Sequence, residues 1–107
     1  MSPESPSPSV EQFSALPLHD AILLELRLDW SQRVCVATVQ AFVQRDQQAV
    51  ARQIIWYGMR EASIPHHAPW GESQSINAAR VEPGSAFVLE MQSGDEIRIV
   101  ADRFEFR

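Results

Sequence analysis

The clearest hydrophobic pattern in the chain runs from Ala21 to Asp29, where Ile22, Leu24, Leu26 and Leu28 alternate with Glu25, Arg27 and Asp29. Alternate side chains of an extended strand point to opposite faces, so this run predicts a half-buried β-strand with the even-numbered residues in the core. Leu23 is the exception to the alternation. Turn-forming residues follow at Asp29-Trp30-Ser31-Gln32-Arg33, and Val34 to Val43 resumes extended character. In that second run Val34, Val36 and Phe42 share one parity, and Cys35, Ala37, Val39, Ala41 and Val43 the other. Both faces are apolar, which predicts a central strand covered on each side.

Further along, Arg45-Asp46-Gln47-Gln48 reads as a hairpin loop and Ala49 to Glu61 as a long third strand, because Ile54-Ile55-Trp56-Tyr57 is β-branched and aromatic. The Gln, Ala and Arg content of 41–52 leaves a short helix there as the alternative. Ser63 to Ser75 is a loop, and Ser75 to Glu82 a fourth strand closed by the turn Pro83-Gly84-Ser85. Phe87, Leu89 and Met91 face one way in a fifth strand, and the turn Ser93-Gly94-Asp95 leads into a sixth with Ile97, Ile99 and Ala101 inward. Phe104 and Phe106 have the opposite parity to Ile97 and Ile99, which predicts a bulge near Ala101–Asp102. The fold class is therefore mostly β: an antiparallel meander of about six strands forming a sandwich or partly open barrel, with little helix. Its expected core is Ile22, Leu24, Leu26, Leu28, Phe87, Leu89, Met91, Ile97 and Ile99.

Composition adds boundaries to that picture. Residues 1–12 begin with the Ser/Pro-rich run MSPESPSPS, which has nothing to bury and predicts a disordered tail, leaving 13–107 as a single β domain. The net charge is −5, from 14 acidic and 9 basic residues, and every basic residue is Arg. The arginines are scattered, so the chain is poorly suited to a phosphate backbone; no nucleic-acid partner is expected, and a basic protein partner fits the charge better. Cys35 stands alone within an apolar run and reads as a small core residue. No stretch approaches about 18 apolar residues, and the N-terminus lacks the basic and apolar regions of a signal peptide. Neither a membrane partner nor secretion is expected, and the expected location is cytoplasmic.

Candidate chemistry is sparse. His19-Asp20 could supply two metal ligands, but it opens a strand without further ligands at suitable spacing, and Asp at such a turn commonly bonds local amides. His66-His67 are adjacent, and neighbouring side chains diverge, so they do not match the H-x₃₋₅-H spacing of zinc sites. No G-x-S-x-G elbow and no phosphate-cradling glycine loop is present. Trp70, between Pro69 and Gly71, is a large ring on a semi-rigid loop, suited either to a lid or to a binding anchor. The candidate binding residues are Trp70, His66, His67, Ser73, Asn77, His19 and Asp20; no catalytic residue, metal site or cofactor is expected.

The segments Leu18-His19-Asp20-Ala21, Pro69-Trp70-Gly71-Glu72-Ser73 with Ser75-Ile76-Asn77, and Glu90-Met91-Gln92-Ser93-Gly94-Asp95 together resemble small uncharacterised bacterial β-domain families. Some of these families sit near polymorphic-toxin immunity proteins. The resemblance spans residues 16–107 and implies no catalytic residue. The expected function is a non-catalytic binding or interaction protein, with an immunity-type inhibitor as the role the resemblance implies. The alternatives are a small-ligand-binding domain with a pocket under the 63–75 loop and a metal-dependent hydrolase using the histidines. Apolar residues on both faces of the second and third strands further predict a homodimer.

Overall fold

The computed structural model describes residues 10–41, 50–67 and 74–107. Among them eight strands form two four-stranded antiparallel sheets packed as a sandwich. The first sheet has the order β1 (Ile22–Asp29), β2 (Val34–Ala41), β3 (Val50–Tyr57) and β8 (Arg103–Phe106). The second has the order β4 (Glu61–Ser63), β7 (Glu96–Val100), β6 (Ala86–Met91) and β5 (Ile76–Glu82). Each sheet is a three-strand meander extended by one strand from the other half of the chain. Two of the expected strands are bent runs: the third breaks at Gly58–Arg60 into β3 and β4, and the sixth breaks at Ala101–Asp102 into β7 and β8. Because β3 pairs with β8 and β4 with β7, the two bent runs pass together from one sheet into the other.

This crossing explains the parity change before Phe104. The expected bulge is instead the point where the chain leaves one sheet for the other, with Ala101 N–H donating to Ser85 O at 3.2 Å and Asp102 N–H to Tyr57 O at 2.9 Å. The register pairs Ala41 with Val50 and Val39 with Arg52, so the helical alternative for 41–52 is excluded at both ends; the hairpin loop at 45–48 lies outside the described residues.

The centre of the sandwich is aromatic. Phe13 projects from a 3₁₀ turn at Val10–Ala15, and its ring lies 5.1 Å from Phe87, 5.2 Å from Phe104 and 6.0 Å from Trp56. All four rings are fully buried. That turn starts ahead of the expected domain boundary at residue 13, and Phe13, Leu18 and Trp56 join a core in which the sequence pattern placed none of them. The indole Nε1 of Trp56 is buried with no hydrogen-bond partner among the described residues, a cost of about 1–3 kcal/mol. Burying such a ring removes about 150–250 Å² from water, worth about 4–6 kcal/mol, so packing prevails.

Strand β1 departs most from its expected pattern. A bulge between Leu23 and Glu25 shifts the register against β2, so Leu23, opposite Val39, faces inward before it and Leu26, opposite Ala37, after it. Leu24, the extra residue, is 48% exposed. Leu28 lies opposite buried Cys35 and so on the inner face, yet it is 38% exposed, because no strand of the second sheet extends over it. Leu24 and Leu28 are thus not core residues, while Phe87, Leu89, Met91, Ile97 and Ile99 are.

In β2 only the odd face is buried: Cys35, Ala37, Val39 and Ala41. Val34, Val36 and Thr38 are half-buried on the outer face, so the strand is central in its sheet but covered by a second layer on one side only. Ile55 is nearly buried on that outer face, between Val36 and Glu105 in register. Burial pushes the Cys35 thiol up to about 11, so it remains protonated and unreactive at neutral pH.

Candidate interaction groove

The two sheets do not cover each other along one side. There β1, the edge of the first sheet, runs past the short edge strand β4 of the second, and a cleft opens between them. At one end it is a cavity of about 210 Å³ with an apolar floor of Leu23, Leu26, Met91 and Ile97. Its mouth is formed by Leu24, Glu25, Asp95, Gln74 and the Ile64-Pro65-His66 segment. At the other end it widens to about 730 Å³ between Leu28, Trp30, Met59, Ala62 and Ile64, with Arg33, Arg60 and Glu61 at the rim. Ile64 lines both, so the two form one groove along β1.

The groove gathers the exposed large apolar side chains of its neighbourhood. Leu24, Leu28 and Ile64 are each more than a third exposed, and Trp30 is 83% exposed. A scattered exposed leucine needs no explanation, but a contiguous apolar strip on one concave edge is a feature of interaction sites. Trp30 is presented by the β1–β2 turn. Asp29 Oδ1 accepts from Gln32 N–H at 3.0 Å and from Ser31 Oγ at 3.1 Å, which fixes the turn and leaves the indole outside it.

The candidate binding residues divide between two places. His19, Asp20 and Asn77 converge on a shallow polar depression of about 640 Å³ together with Glu90, Gln92 and Glu96. His19 Nδ1 lies 2.8 Å from Asn77 O, Asn77 Nδ2 donates to Glu90 Oε1 at 3.1 Å, and Gln92 Nε2 donates to Asp20 Oδ1 at 2.6 Å. These bonds tie the entry of β1 to β5 and β6, next to the bridge between Ile22 and Ser75. Asp20 sits at φ 67°, a left-handed conformation that Asp tolerates, but its carboxylate accepts from the distant Gln92 side chain rather than from the local amides expected of it. His66 lines the small end of the groove, and the His67 N–H donates to Asp95 Oδ2 at 3.2 Å. Among the described residues no group of three His, Cys, Asp or Glu is placed to hold a metal ion. Trp70 and Ser73 lie outside the described residues.

Elsewhere the surface charges answer one another. On the outer face of the second sheet Arg80 reaches Glu90 at 2.6 Å, Glu96 at 3.0 Å and Glu82 at 3.1 Å, and Arg98 pairs with Glu82. Val88, opposite both arginines in register, is fully buried on this face. Hydrogen bonds from Arg98 and then Arg80 hold the Glu82 carboxyl below its usual range. A carboxylate with a lowered folded-state pKa contributes stability above its ordinary pKa and loses it as pH falls through the lowered one. In a carboxyl NMR titration Glu82 is therefore expected to reach half-protonation below about 4.3, the ordinary glutamate value. Arg98→Gln is expected to move it upward; an unperturbed midpoint in the wild type would contradict the network.

Comparison with known proteins returns no match: no family model, no curated protein and no solved structure is similar to the chain. No helix among the described residues is long and apolar enough to cross a membrane.

Proposed function

We propose that this protein is a non-catalytic interaction module that takes an extended, apolar segment of a protein partner into the groove between β1 and β4. The observation that carries the reading is the apolar strip Leu24, Leu28, Trp30 and Ile64, exposed along the edge of β1. An edge strand offers unpaired backbone amides and carbonyls, and adding a strand to it is a recurring mode of peptide recognition. Backbone bonds would supply affinity, and alternate side chains of the segment would enter the cavities beside Leu26 and Leu28. Arg33 and Arg60 share the rim with Glu25, Glu61 and Asp95, so the groove selects by apolar shape, and the net charge of −5 acts only at long range. An immunity-type inhibitor is the form of this function that the sequence resemblance suggests.

The ligand-pocket alternative has less support. Small-molecule sites enclose about 300–1,000 Å³ and bury most of the ligand. The cavity beside Ile64, Pro65 and His66 has about 210 Å³, below that range; the wider end, about 730 Å³, lies within it, but both are half-open to solvent and would not bury most of a ligand.

Selection from a displayed library of random peptides tests the proposal. Enriched sequences are expected to carry apolar residues at alternate positions, and their binding is expected to fall at least about tenfold with Leu28→Asp or Trp30→Ala, as loss of an interface anchor does. Trp30 is exposed in a turn and Leu28 is not part of the buried core, and a thermal melt of each variant checks that the fold is kept. No enrichment over an unselected library would overturn the reading.

A further inference from the structure

We infer that one segment fitting this groove is β1 of a second copy of the chain, paired edge to edge about a two-fold axis through Leu26. The inference rests on the groove reading and names its occupant. Apart from Leu23 N–H, which donates to Gln74 O, the free edge of β1 from Leu24 to Leu28 meets no other strand among the described residues. Natural edges are commonly protected by lysine, proline or inward charges. This stretch has none of these: beyond the bulge at Leu24, Leu26 and Leu28 lie on the inner face of the sheet and Glu25 and Arg27 on the outer one.

The charge order selects the register. In a continuous antiparallel sheet opposite residues share a face, so β1 meets its copy only between residues of like parity. Centring the axis on Leu26 sets Leu26 beside its own copy and Glu25 opposite Arg27 of the second copy, twice. Centring it on Arg27 would set Arg27 against itself and Glu25 against Asp29, both repulsive. Centring it on Leu28 would pair Arg27 with Asp29, but Asp29 is engaged by Ser31 and Gln32, and the overlap would run past the end of the strand. Of these three, the Leu26 register alone makes every charge contact attractive between side chains that no turn engages.

Glu25 and Arg27 are available for this exchange. Their side chains are 54% and 74% exposed and meet each other within the strand at only 3.6 Å. The net charge of −5 on each copy opposes association, but at physiological ionic strength that repulsion is screened beyond about 8 Å, while the cross-strand pairs act at contact. The apolar excess on β2 and β3 does not call for a partner, since Ile55 is nearly buried within one chain.

Sedimentation equilibrium over a concentration series tests this with the full chain. The weight-average mass is expected to rise from 12.1 kDa toward twice that value. Glu25→Arg and Arg27→Glu are each expected to weaken the dimer at least about tenfold by opposing like charges, and the double exchange Glu25→Arg/Arg27→Glu to restore it. A wild type that stays monomeric, or a dimer indifferent to the charge exchanges, would overturn the pairing. The groove reading is judged separately: peptide enrichment lost with Leu28→Asp supports it even if the chain is a monomer.

Discussion

Phe13→Ala is expected to destabilise the fold by about 3–5 kcal/mol, the range for deleting a fully buried phenylalanine. The ring has no solvent exposure and stands at the centre of the aromatic cluster, edge-on to Phe87 and to Phe104. Its loss opens a cavity between two sheets that close on it only in part, because each sheet is held by its own hydrogen-bonded ladders. A domain of this size has a total stability of about 5–15 kcal/mol, so the variant should sit close to its unfolding midpoint. Urea denaturation of wild type and variant measures the difference directly. A loss under about 1 kcal/mol would mean that the 3₁₀ turn is not part of the cooperative core.

The consequence reaches further than one side chain. Phe13 lies before every strand, and the chain beyond it continues through buried Leu18 and Ala21 into β1. Ala21 and Ile76 are tied by the Ile76 N–H bond to Ala21 O at 2.8 Å, and Asp20 N–H donates to Ile76 O at 2.8 Å. Phe13, Leu18 and these bonds together hold the entry of β1 against β5, which sets the β1 edge along the groove. Phe87→Leu, a milder change in the same cluster, provides the calibration: if both variants lose cooperativity together, the turn and the sheets unfold as one unit.

How far the sequence disclosed this molecule depends on which residues had a period to read. The alternation of Phe87, Leu89, Met91, Ile97 and Ile99 was legible because β6 and β7 are regular strands with one face in the core. The even face of β1 misled because a bulge, invisible to a periodic reading, moves Leu24 out of line; the out-of-place Leu23 was its one trace. Leu28 was misassigned for a different reason: its face is the inner one, but how far the opposite sheet extends is not a local property. Phe13 had no periodic neighbours in VEQFSA to mark it. Of the groove, Trp30 was read only as a turn residue and Trp70 was the ring singled out; Met59 comes from a break within what reads as one continuous strand, and Ile64 from the segment read as a loop. The histidines drew attention because of their chemistry, and the structure places His19 against the Asn77 carbonyl of β5 and His66 at the mouth of the groove.

Gly58→Ala is the second change expected to have a large effect, and it acts at the corner where β3 becomes β4. Gly58 adopts φ 68°, in the left-handed region, where a non-glycine residue costs about 1–3 kcal/mol. A Cβ there would also collide with Asp102, coming within 2.6 Å of its Cγ. Asp102 gives way only by turning its carboxylate out of the ion pair with Arg60, while its backbone stays fixed by the N–H bond to Tyr57 O. The corner therefore holds both bent runs at their crossing. The two costs separate in a double-mutant cycle. Asp102→Ala should relieve the collision but not the backbone strain, so Gly58→Ala/Asp102→Ala should be more stable than the sum of the two single losses. Additive losses would show that the side chains do not meet. Because Met59 and Arg60 line the wide end of the groove, Gly58→Ala should also weaken selected peptides under conditions where the variant remains folded. Unchanged peptide binding by the folded variant would detach the groove from the corner, and the geometry of Met59 between them says that it should not.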